Sequence, residues 1–363
     1  MFMINKLLKQ LPATVPFVGP EAIVRQTGAD FVARLGANES VFGPSPKVYD
    51  ALKQAPDEIY KYPDPEAWDL REALSKHIDV PMDAISIGEG IDGLLGVVAR
   101  AVMEPRDIAV TTAGSYPTFN YHVAGFGCRL EVVPMRNDRE DLVALVERAR
   151  AVGARLLYVS NPNNPMGTVN SVEKIKSAIS ALPDGCMMIL DEAYLELADH
   201  AVNPAIDLSR RNVLHMRTFS KAYGMAGQRV GYVIGAPEFV QSLNKIRNHF
   251  GVNRLGQMAA LAALKDQDYL QWVLARTKAG RVRLAKIAEA KGLAPIESHT
   301  NFVTMDCGTV DRANAILNAL IARRIFVRKP MVAPQDRCIR VSVSVPKDID
   351  RFETALREVL QTL

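Results

Sequence analysis

The sequence of 363 residues contains little cysteine, which excludes two classes of protein. Its four cysteines, Cys128, Cys186, Cys307 and Cys338, lie far apart, with no C-x-x-C pair and no histidine at ligand spacing. This spacing argues against a metal site and against a disulfide framework, so no metal is expected. A reduced, cytoplasmic protein is the prediction.

The sequence also lacks a strong charge bias and a long apolar run. Its 44 basic and 40 acidic residues give a net charge of +4, without a dense lysine or arginine cluster. Nucleic acid is therefore not expected as a partner. The most apolar stretch, 87–103, contains acidic residues and is too short to span a bilayer, so no membrane association is expected either.

Short aliphatic segments alternate with stretches of helical periodicity through the middle of the chain. The predicted strands are 107–112, 130–134, 156–160, 187–190, 213–216 and 230–234. Helical patterns such as 91–102, 140–151 and 172–181 lie between them. This alternation is typical of an α/β fold with a mainly parallel sheet flanked by helices. Ligands of such folds bind at the carboxyl ends of the strands.

The pattern changes after about residue 236. Helical periodicity over 238–249 and 255–290 precedes a unit with shorter strands and helices. We therefore predict a large domain over 45–240 and a smaller α+β domain formed by 1–44 and 250–363.

The segment after the strand 213–216 contains a lysine among small and aromatic residues. Lys221 follows Thr218 and Ser220 and precedes Arg229. Most lysines are solvated surface charges, but a neutral lysine amine in such surroundings can attack a carbonyl carbon. The two hydroxyls and the guanidinium suit a phosphate dianion.

Three further predicted strand ends carry polar or glycine-rich sequences. Asp191 closes the strand 187–190, where a buried carboxylate is unfavourable unless a cation or a donor meets it. It either caps the next helix or pairs with a protonated ring nitrogen. The glycine-rich segment 88–93 leads into a helix and leaves backbone N–H groups free for an anion. The segment 160–168, rich in asparagine and proline, predicts a rigid turn.

In order and spacing these motifs resemble the fold type I aminotransferases of class I/II that depend on pyridoxal 5′-phosphate (PLP), and most closely the histidinol-phosphate aminotransferase family. The resemblance covers nearly the whole chain. It is carried by G-A-N-E-S-V-F-G-P-S-P at 36–46, Y-K-Y-P-D at 60–64, N-P-N-N-P-M-G at 161–167, D-E-A-Y at 191–194 and R-T-F-S-K-A-Y-G-M-A-G-Q-R at 217–229. It implies a homodimer of that fold, with the active site shared across the subunit interface.

The resemblance also implies roles for catalytic residues. Lys221 would bind PLP covalently and move a proton during the reaction, and Asp191 would pair with the pyridinium nitrogen. Asn164 and Tyr194 would hydrogen-bond the ring oxygen. Tyr116 would stack on the ring face.

Further residues are implied to bind the cofactor phosphate and the substrate. The phosphate group would be held by Gly90, Ile91, Asp92, Thr218, Ser220 and Arg229, with Tyr62 reaching across from the neighbouring subunit. Substrate contacts are expected from Asn38, Ser40, Tyr116, Arg328 and Arg340. Arg340 corresponds to the arginine that receives a substrate carboxylate, and with Arg328 it would take the phosphate of histidinol phosphate.

The implied reaction transfers the amino group of L-histidinol phosphate to 2-oxoglutarate, a step of L-histidine biosynthesis. An aromatic amino-acid aminotransferase on the same scaffold is the alternative. A PLP-dependent lyase or decarboxylase is a third candidate.

Overall fold

The computed structural model describes residues 3–11, 19–53, 55–199 and 201–363. The strands are β1 (Ala33–Arg34), β2 (Ile85–Gly88), β3 (Ile108–Thr112), β4 (Arg129–Val133), β5 (Leu156–Ser160), β6 (Met187–Asp191), β7 (Val213–Thr218), β8 (Gly231–Ile234), β9 (Ala294–Pro295), β10 (Phe302–Asp306), β11 (Ile325–Phe326) and β12 (Cys338–Ser342). The helices are α1 (Pro20–Thr27), α2 (Pro46–Lys53), α3 (Trp68–Ile78), α4 (Gly90–Val102), α5 (Pro117–Gly125), α6 (Leu142–Val152), α7 (Val172–Ser180), α8 (Pro237–Leu243), α9 (Arg254–Leu264), α10 (Gln267–Ala290), α11 (Val310–Ala322) and α12 (Pro346–Thr362).

A seven-stranded sheet in the order β2-β8-β7-β6-β5-β3-β4 forms the centre of the larger unit. Strands β3 to β7 are mutually parallel, and β8 runs antiparallel to both of its neighbours. The α/β class with a mainly parallel sheet is thereby confirmed. The register pairs Ser160 with Asp191 and Asp191 with Met216, so the carboxyl ends of β5, β6 and β7 lie level. Loops that follow these three strands start at the same edge of the sheet.

The central strands are buried on both faces, which explains their continuous aliphatic sequences. Tyr158 of β5 packs with Leu95 and Phe119 on the face that α4 and α5 cover. Its neighbour Leu157 points the other way and packs with Leu145 of α6. Burying each such side chain contributes roughly 1.5–3 kcal/mol, so the two layers of helices hold the strand ends in place.

A second unit contains a three-stranded antiparallel sheet, β12-β10-β9, and a short parallel pair, β1 and β11. Leu284, Ile316 and Phe352, from α10, α11 and α12, form its core together with the strands. The pair β1–β11 joins the N-terminal segment to this unit. The domain boundaries given above stay a prediction.

Two helical predictions are wrong in extent. The predicted helix over 238–249 ends at Leu243, because the Asn244 side chain accepts from Arg247 Nε at 2.7 Å and the Asn244 carbonyl lies 2.7 Å from the His249 ring. Such local hydrogen bonds compete with those of the helix. The predicted helix over 255–290 is two helices, α9 and α10, which are separated at Asp266.

The break at Asp266 results from a contact that is distant in sequence. Its carboxylate accepts hydrogen bonds from Ser45 Oγ and, at 3.1 Å, from Lys47 Nζ. Helix α9 itself packs through Ala259 and Ala263 into the core that contains Val48. The local sequence gave no sign of these partners, which lie more than 200 residues away.

Among the described residues, no helix has both the length and the apolar character that crossing a bilayer requires.

Candidate active site

The loops after β5, β6 and β7 surround a cleft with a cavity volume of about 110 Å³. It is lined by ten residues that the sequence singled out: Ile91, Asp92, Tyr116, Asn164, Asp191, Tyr194, Thr218, Ser220, Lys221 and Arg229. Five more lining residues were not singled out: Tyr158, Ser160, Pro162, Ala193 and Ala226. The structure therefore brings four separate motifs to one place.

Lys221 reaches the cleft from a tight turn after β7. The Gly224 amide donates to the Lys221 carbonyl at 3.1 Å, and Gly224 has a φ of 68°. A Cβ at Gly224 would lie 2.3 Å from the carbonyl oxygen of Gly43, so only glycine fits there. The Lys221 Nζ donates to the carbonyl oxygen of Asn38 at 3.3 Å and lies 5.5 Å from the ring centre of Tyr194.

Asn38 connects this lysine to the second unit. Its Nδ2 donates to the Tyr194 hydroxyl at 3.1 Å, and its Oδ1 accepts from Ser342 Oγ at 3.0 Å. Its carbonyl oxygen accepts from Asn301 Nδ2 at 3.0 Å. Because Tyr194 accepts a hydrogen bond from Asn38, its own proton is available to a partner in the cleft.

Asp191 lies buried at the end of β6. Its Oδ1 accepts from the Ala193 amide at 2.9 Å, and its Oδ2 accepts from the Tyr158 hydroxyl at 2.6 Å. Burial raises the pKa of Asp191 to about 6, although the Tyr158 hydrogen bond opposes this shift. A buried carboxylate with two neutral donors is suited to a cationic ligand atom.

The start of α4 and the guanidinium of Arg229 form a cradle at the other end of the cleft. Arg229 Nη2 donates to Asp92 Oδ2 at 3.1 Å, and Nη1 donates to Ser220 Oγ at 3.3 Å. Gly90 has a φ of 72°, and a Cβ there would lie 2.5 Å from Arg229 Nη2. The first backbone amides of the helix and the nearby guanidinium suit an anion.

Two arginines of the second unit, Arg328 and Arg340, are paired through their backbone groups. The Arg328 amide donates to the Arg340 carbonyl at 3.1 Å. Arg340 Nη1 donates to Asn164 Oδ1, which places the guanidinium at the cleft. Its Nε is buried without a hydrogen-bond partner among the described residues. Burial lowers the pKa of Arg340 to about 10, and neighbouring Arg328 adds to this shift.

Six predicted residues do not line this cleft: Asn38, Gly90, Arg328 and Arg340, which are described above, and Ser40 and Tyr62. Ser40 Oγ is buried without a hydrogen-bond partner among the described residues. Tyr62 is 78% exposed, and its ring packs 4.9 Å from that of Phe250. Within one chain, Tyr62 is therefore a surface residue.

Sequence reasoning missed Tyr158 and Glu140. Tyr158 lies inside a strand whose aliphatic pattern predicts burial only, and Glu140 was taken as the first residue of a helix. The sequence contains one sign of a role for Tyr158, because its hydroxyl is the only polar side-chain group inside the aliphatic run 156–159. No comparable sign marks Glu140.

The chain matches the family model described as aminotransferase class I and II over residues 32–356. It is 34% identical to the histidinol-phosphate aminotransferase of Moorella thermoacetica over 350 residues, which cover 95% of this chain and 90% of that protein. It is also 34% identical to histidinol-phosphate aminotransferase 2 of Carboxydothermus hydrogenoformans over 365 residues, which cover 99% and 100%.

A solved structure gives the same comparison in three dimensions. The crystal structure of histidinol-phosphate aminotransferase from Sinorhizobium meliloti, in complex with pyridoxal-5′-phosphate, is 46% identical in sequence. It superposes with a TM-score of 0.96 and covers 100% of this chain and 98% of that chain.

Proposed function

The chain belongs to the class I and II aminotransferases, and from this premise we propose that it transfers the amino group of L-histidinol phosphate to 2-oxoglutarate. It is a PLP-dependent enzyme of fold type I. Relatives that carry the histidinol-phosphate name match over the full length of the chain. Arg340, a buried guanidinium with an unpartnered Nε beside Arg328, is the observation that favours an anionic substrate.

The cleft fits PLP at three points. The Asp191 carboxylate would meet the ring nitrogen, Lys221 would hold the cofactor covalently, and the cradle of Gly90 and Arg229 would hold the phosphate. Ile91, Asp92, Thr218 and Ser220 would complete that cradle, and Tyr116 would cover the ring face. When bound, PLP supplies an aldehyde carbon that takes up the amino group and a protonated ring that stabilises negative charge at the substrate Cα.

The Lys221 amine is the group that moves the proton. Once it is free, its Nζ would accept the proton from the substrate Cα and pass it to C4′ of the cofactor. Asn38 orients this amine through its carbonyl oxygen. General acid–base transfer of this kind contributes roughly 10²–10⁴-fold to the rate. Tyr194 and Asn164 would hydrogen-bond the ring oxygen from the same side of the cleft.

Arg340 and Arg328 would bind the anionic end of both substrates. A guanidinium binds a phosphate or a carboxylate through two parallel hydrogen bonds. The phosphate of histidinol phosphate and the carboxylates of 2-oxoglutarate are therefore both suited to this pair, one after the other. Asn38 and Ser40 would also contact the substrate.

A homodimer is part of the proposal. Tyr60 is 82% exposed, Tyr62 78% and Phe250 50%, and exposed aromatic side chains of this size favour association. In the dimer, Tyr62 would contact the cofactor phosphate of the neighbouring subunit. A cytoplasmic location stays a prediction.

The test mixes the PLP-loaded enzyme with L-histidinol phosphate, and separately with L-phenylalanine, in the absence of a 2-oxo acid. We expect the absorption spectrum of the cofactor to change rapidly with histidinol phosphate, and to be restored by 2-oxoglutarate. A change with phenylalanine alone would replace this substrate by an aromatic amino acid. Release of CO₂ from L-phenylalanine without a need for 2-oxoglutarate would indicate a decarboxylase instead.

A further inference from the structure

Glu140 is a buried carboxylate that takes no part in the steps described above. Its residue is only 3% exposed, and it precedes Asp141, whose side chain caps α6 by accepting from the Ala144 amide at 3.1 Å. Because α6 begins at Leu142, Glu140 lies outside the helix and points into the protein.

Four hydrogen bonds end on the Glu140 carboxylate, and all four donors are uncharged. Oε1 accepts from Asn163 Nδ2 at 2.8 Å, from Ser160 Oγ at 3.0 Å and from Ser115 Oγ at 3.3 Å. Oε2 accepts from the Ser160 amide at 3.2 Å. This set of donors favours the ionised form, because protonation places a hydrogen on one of the two oxygens that accept these four hydrogen bonds.

Each donor belongs to a segment that supplies a residue of the cleft. Ser115 precedes Tyr116, Ser160 lines the cleft itself, and Asn163 precedes Asn164. The Asn163 side chain is fixed at both ends, because its Oδ1 accepts from the Met166 amide at 3.1 Å. One carboxylate thus joins the segment of Ser115 to the turn 160–168, two segments that are separate in sequence.

We propose that Glu140 is a positioning residue, whose ionised carboxylate holds Tyr116, Ser160 and Asn164 in place and whose protonation releases them. This role rests on the cofactor site of the proposed function and is independent of the amino donor. The cleft is then most active when Glu140 is charged.

Burial raises the pKa of Glu140 to about 7, against the effect of its hydrogen bonds. The Tyr158 side chain of β5 interacts electrostatically with Glu140. Because burial raises the pKa of the Tyr158 phenol, this side chain is neutral. Nearby on the same loop, Asp138 pairs with Arg337, and Arg139 lies 3.7 Å from Glu297. The network is therefore complete above about pH 7 and is lost as the pH falls below it.

The test compares the PLP-loaded wild type with Glu140→Gln. In the wild type, we expect kcat and the absorption spectrum of the bound cofactor to change together with an inflection near pH 7. In E140Q the inflection disappears, PLP binds more weakly, and kcat is roughly tenfold below the wild type above pH 7 but matches it well below pH 7, where Glu140 of the wild type is itself uncharged. Glu147→Gln, an exposed glutamate on α6, is the matched control and keeps the inflection.

Ser115→Ala provides a second arm that leaves the charge in place. It removes one donor to the ionised carboxylate, so the inflection moves to higher pH. An unchanged inflection in both E140Q and S115A overturns the proposal, as does a wild type without an inflection. If E140Q does not fold, the movement of the inflection to higher pH in S115A tests the proposal alone. Failure of the wild type to bind PLP would instead contradict the proposed function.

Discussion

At the residue scale, the charge of the cleft depends on single hydrogen bonds to buried carboxylates. Asp191 must be ionised to meet a ring cation, yet burial favours its protonated form. The Tyr158 hydroxyl, at 2.6 Å, opposes that effect and also fixes the plane of the carboxylate. Tyr158 is itself held by its stack on Phe119, with ring centres 4.8 Å apart.

Replacing Tyr158 by phenylalanine removes this hydrogen bond and leaves the stacked ring. We expect the pKa of Asp191 to rise further above about 6, so activity is lost at a higher pH on the acidic side. A hydrogen bond to a charged group is worth about 1.5–3 kcal/mol, so kcat/KM falls about tenfold or more.

The measurement for Tyr158 is the pH profile of kcat/KM, repeated in a Glu140→Gln background so that the two titrations do not overlap. Tyr121→Phe on α5, where the side chain is 44% exposed, serves as the control. An acidic limb that stays at the same pH in Y158F would show that Tyr158 does not act on Asp191.

At the scale of elements, the end of β6 presents two acids in opposite directions. Asp191 faces the cleft, while Glu192 accepts from Arg217 Nε at 2.6 Å and lies 2.8 Å from His215 Nδ1. Arg217 and His215 hold the pKa of Glu192 at about 2 although burial opposes them. The second acid therefore stabilises the strand end that carries the first.

Glu192→Gln leaves Arg217 buried without its counter-charge, so we expect a loss of about 3–5 kcal/mol in the free energy of unfolding at neutral pH. The difference from the wild type shrinks as the pH falls from about 4.5 towards 2, where Glu192 itself takes up a proton. Urea unfolding at several pH values measures it.

Glu238→Gln is the matched control for Glu192, since Glu238 pairs with Arg211 at 2.9 Å on the surface. Exposed pairs contribute about 0–1 kcal/mol. Equal losses in E192Q and E238Q would contradict the role assigned to the buried pair.

A second prediction at this scale concerns Gly90 at the start of α4. Gly90→Ala places a methyl group 2.5 Å from Arg229 Nη2 and strains a backbone with a φ of 72°. We expect the dissociation constant of PLP, measured by titration of the apoenzyme, to rise about tenfold or more, because the methyl group displaces the Arg229 guanidinium and a hydrogen bond to a charged group is worth about 1.5–3 kcal/mol. Gly227→Ala is the control, because a Cβ there meets nothing within 4 Å, and its affinity should not change.

Periodicity predicted six of the seven strands of the central sheet and missed β2, while the family resemblance of the motifs pointed to ten of the fifteen residues that line the cleft. Asp191 closes β6, and Asn164 and Lys221 lie in the turns after β5 and β7, within motifs whose family resemblance implied their roles. The break at Asp266 depends on Ser45, which is far away in sequence. The position of Glu140 depends on Asn163, which lies in the turn after β5. Local patterns contain no information on such contacts.

At the scale of the whole molecule, the proposal of an active site shared between two subunits makes a prediction about mixed dimers. Lys221→Ala removes the proposed proton-transfer group, and Tyr62→Ala removes the contact proposed across the interface. Hybrid dimers of the two variants contain one intact site, with Lys221 from one subunit and Tyr62 from the other.

An equimolar mixture that exchanges subunits should recover roughly a quarter of the wild-type activity, because one site in four is intact. Specific activity before and after exchange, with the hybrid separated by an affinity tag, measures this. Mixing either variant with itself gives no recovery. A fully active monomer in sedimentation would contradict the shared site.

The contacts of Asn38 have a consequence for the synthesis of the chain. Asn38 positions Tyr194 and Lys221, yet its own side chain is held by Ser342, which lies 304 residues later. A nascent chain on the ribosome can fold its central sheet early. The contact between Asn38 and Ser342, which supports the position of Lys221, forms only after residue 342 has left the exit tunnel. Assembly of the surroundings of Lys221 in their final geometry is therefore a late event in the folding of this chain.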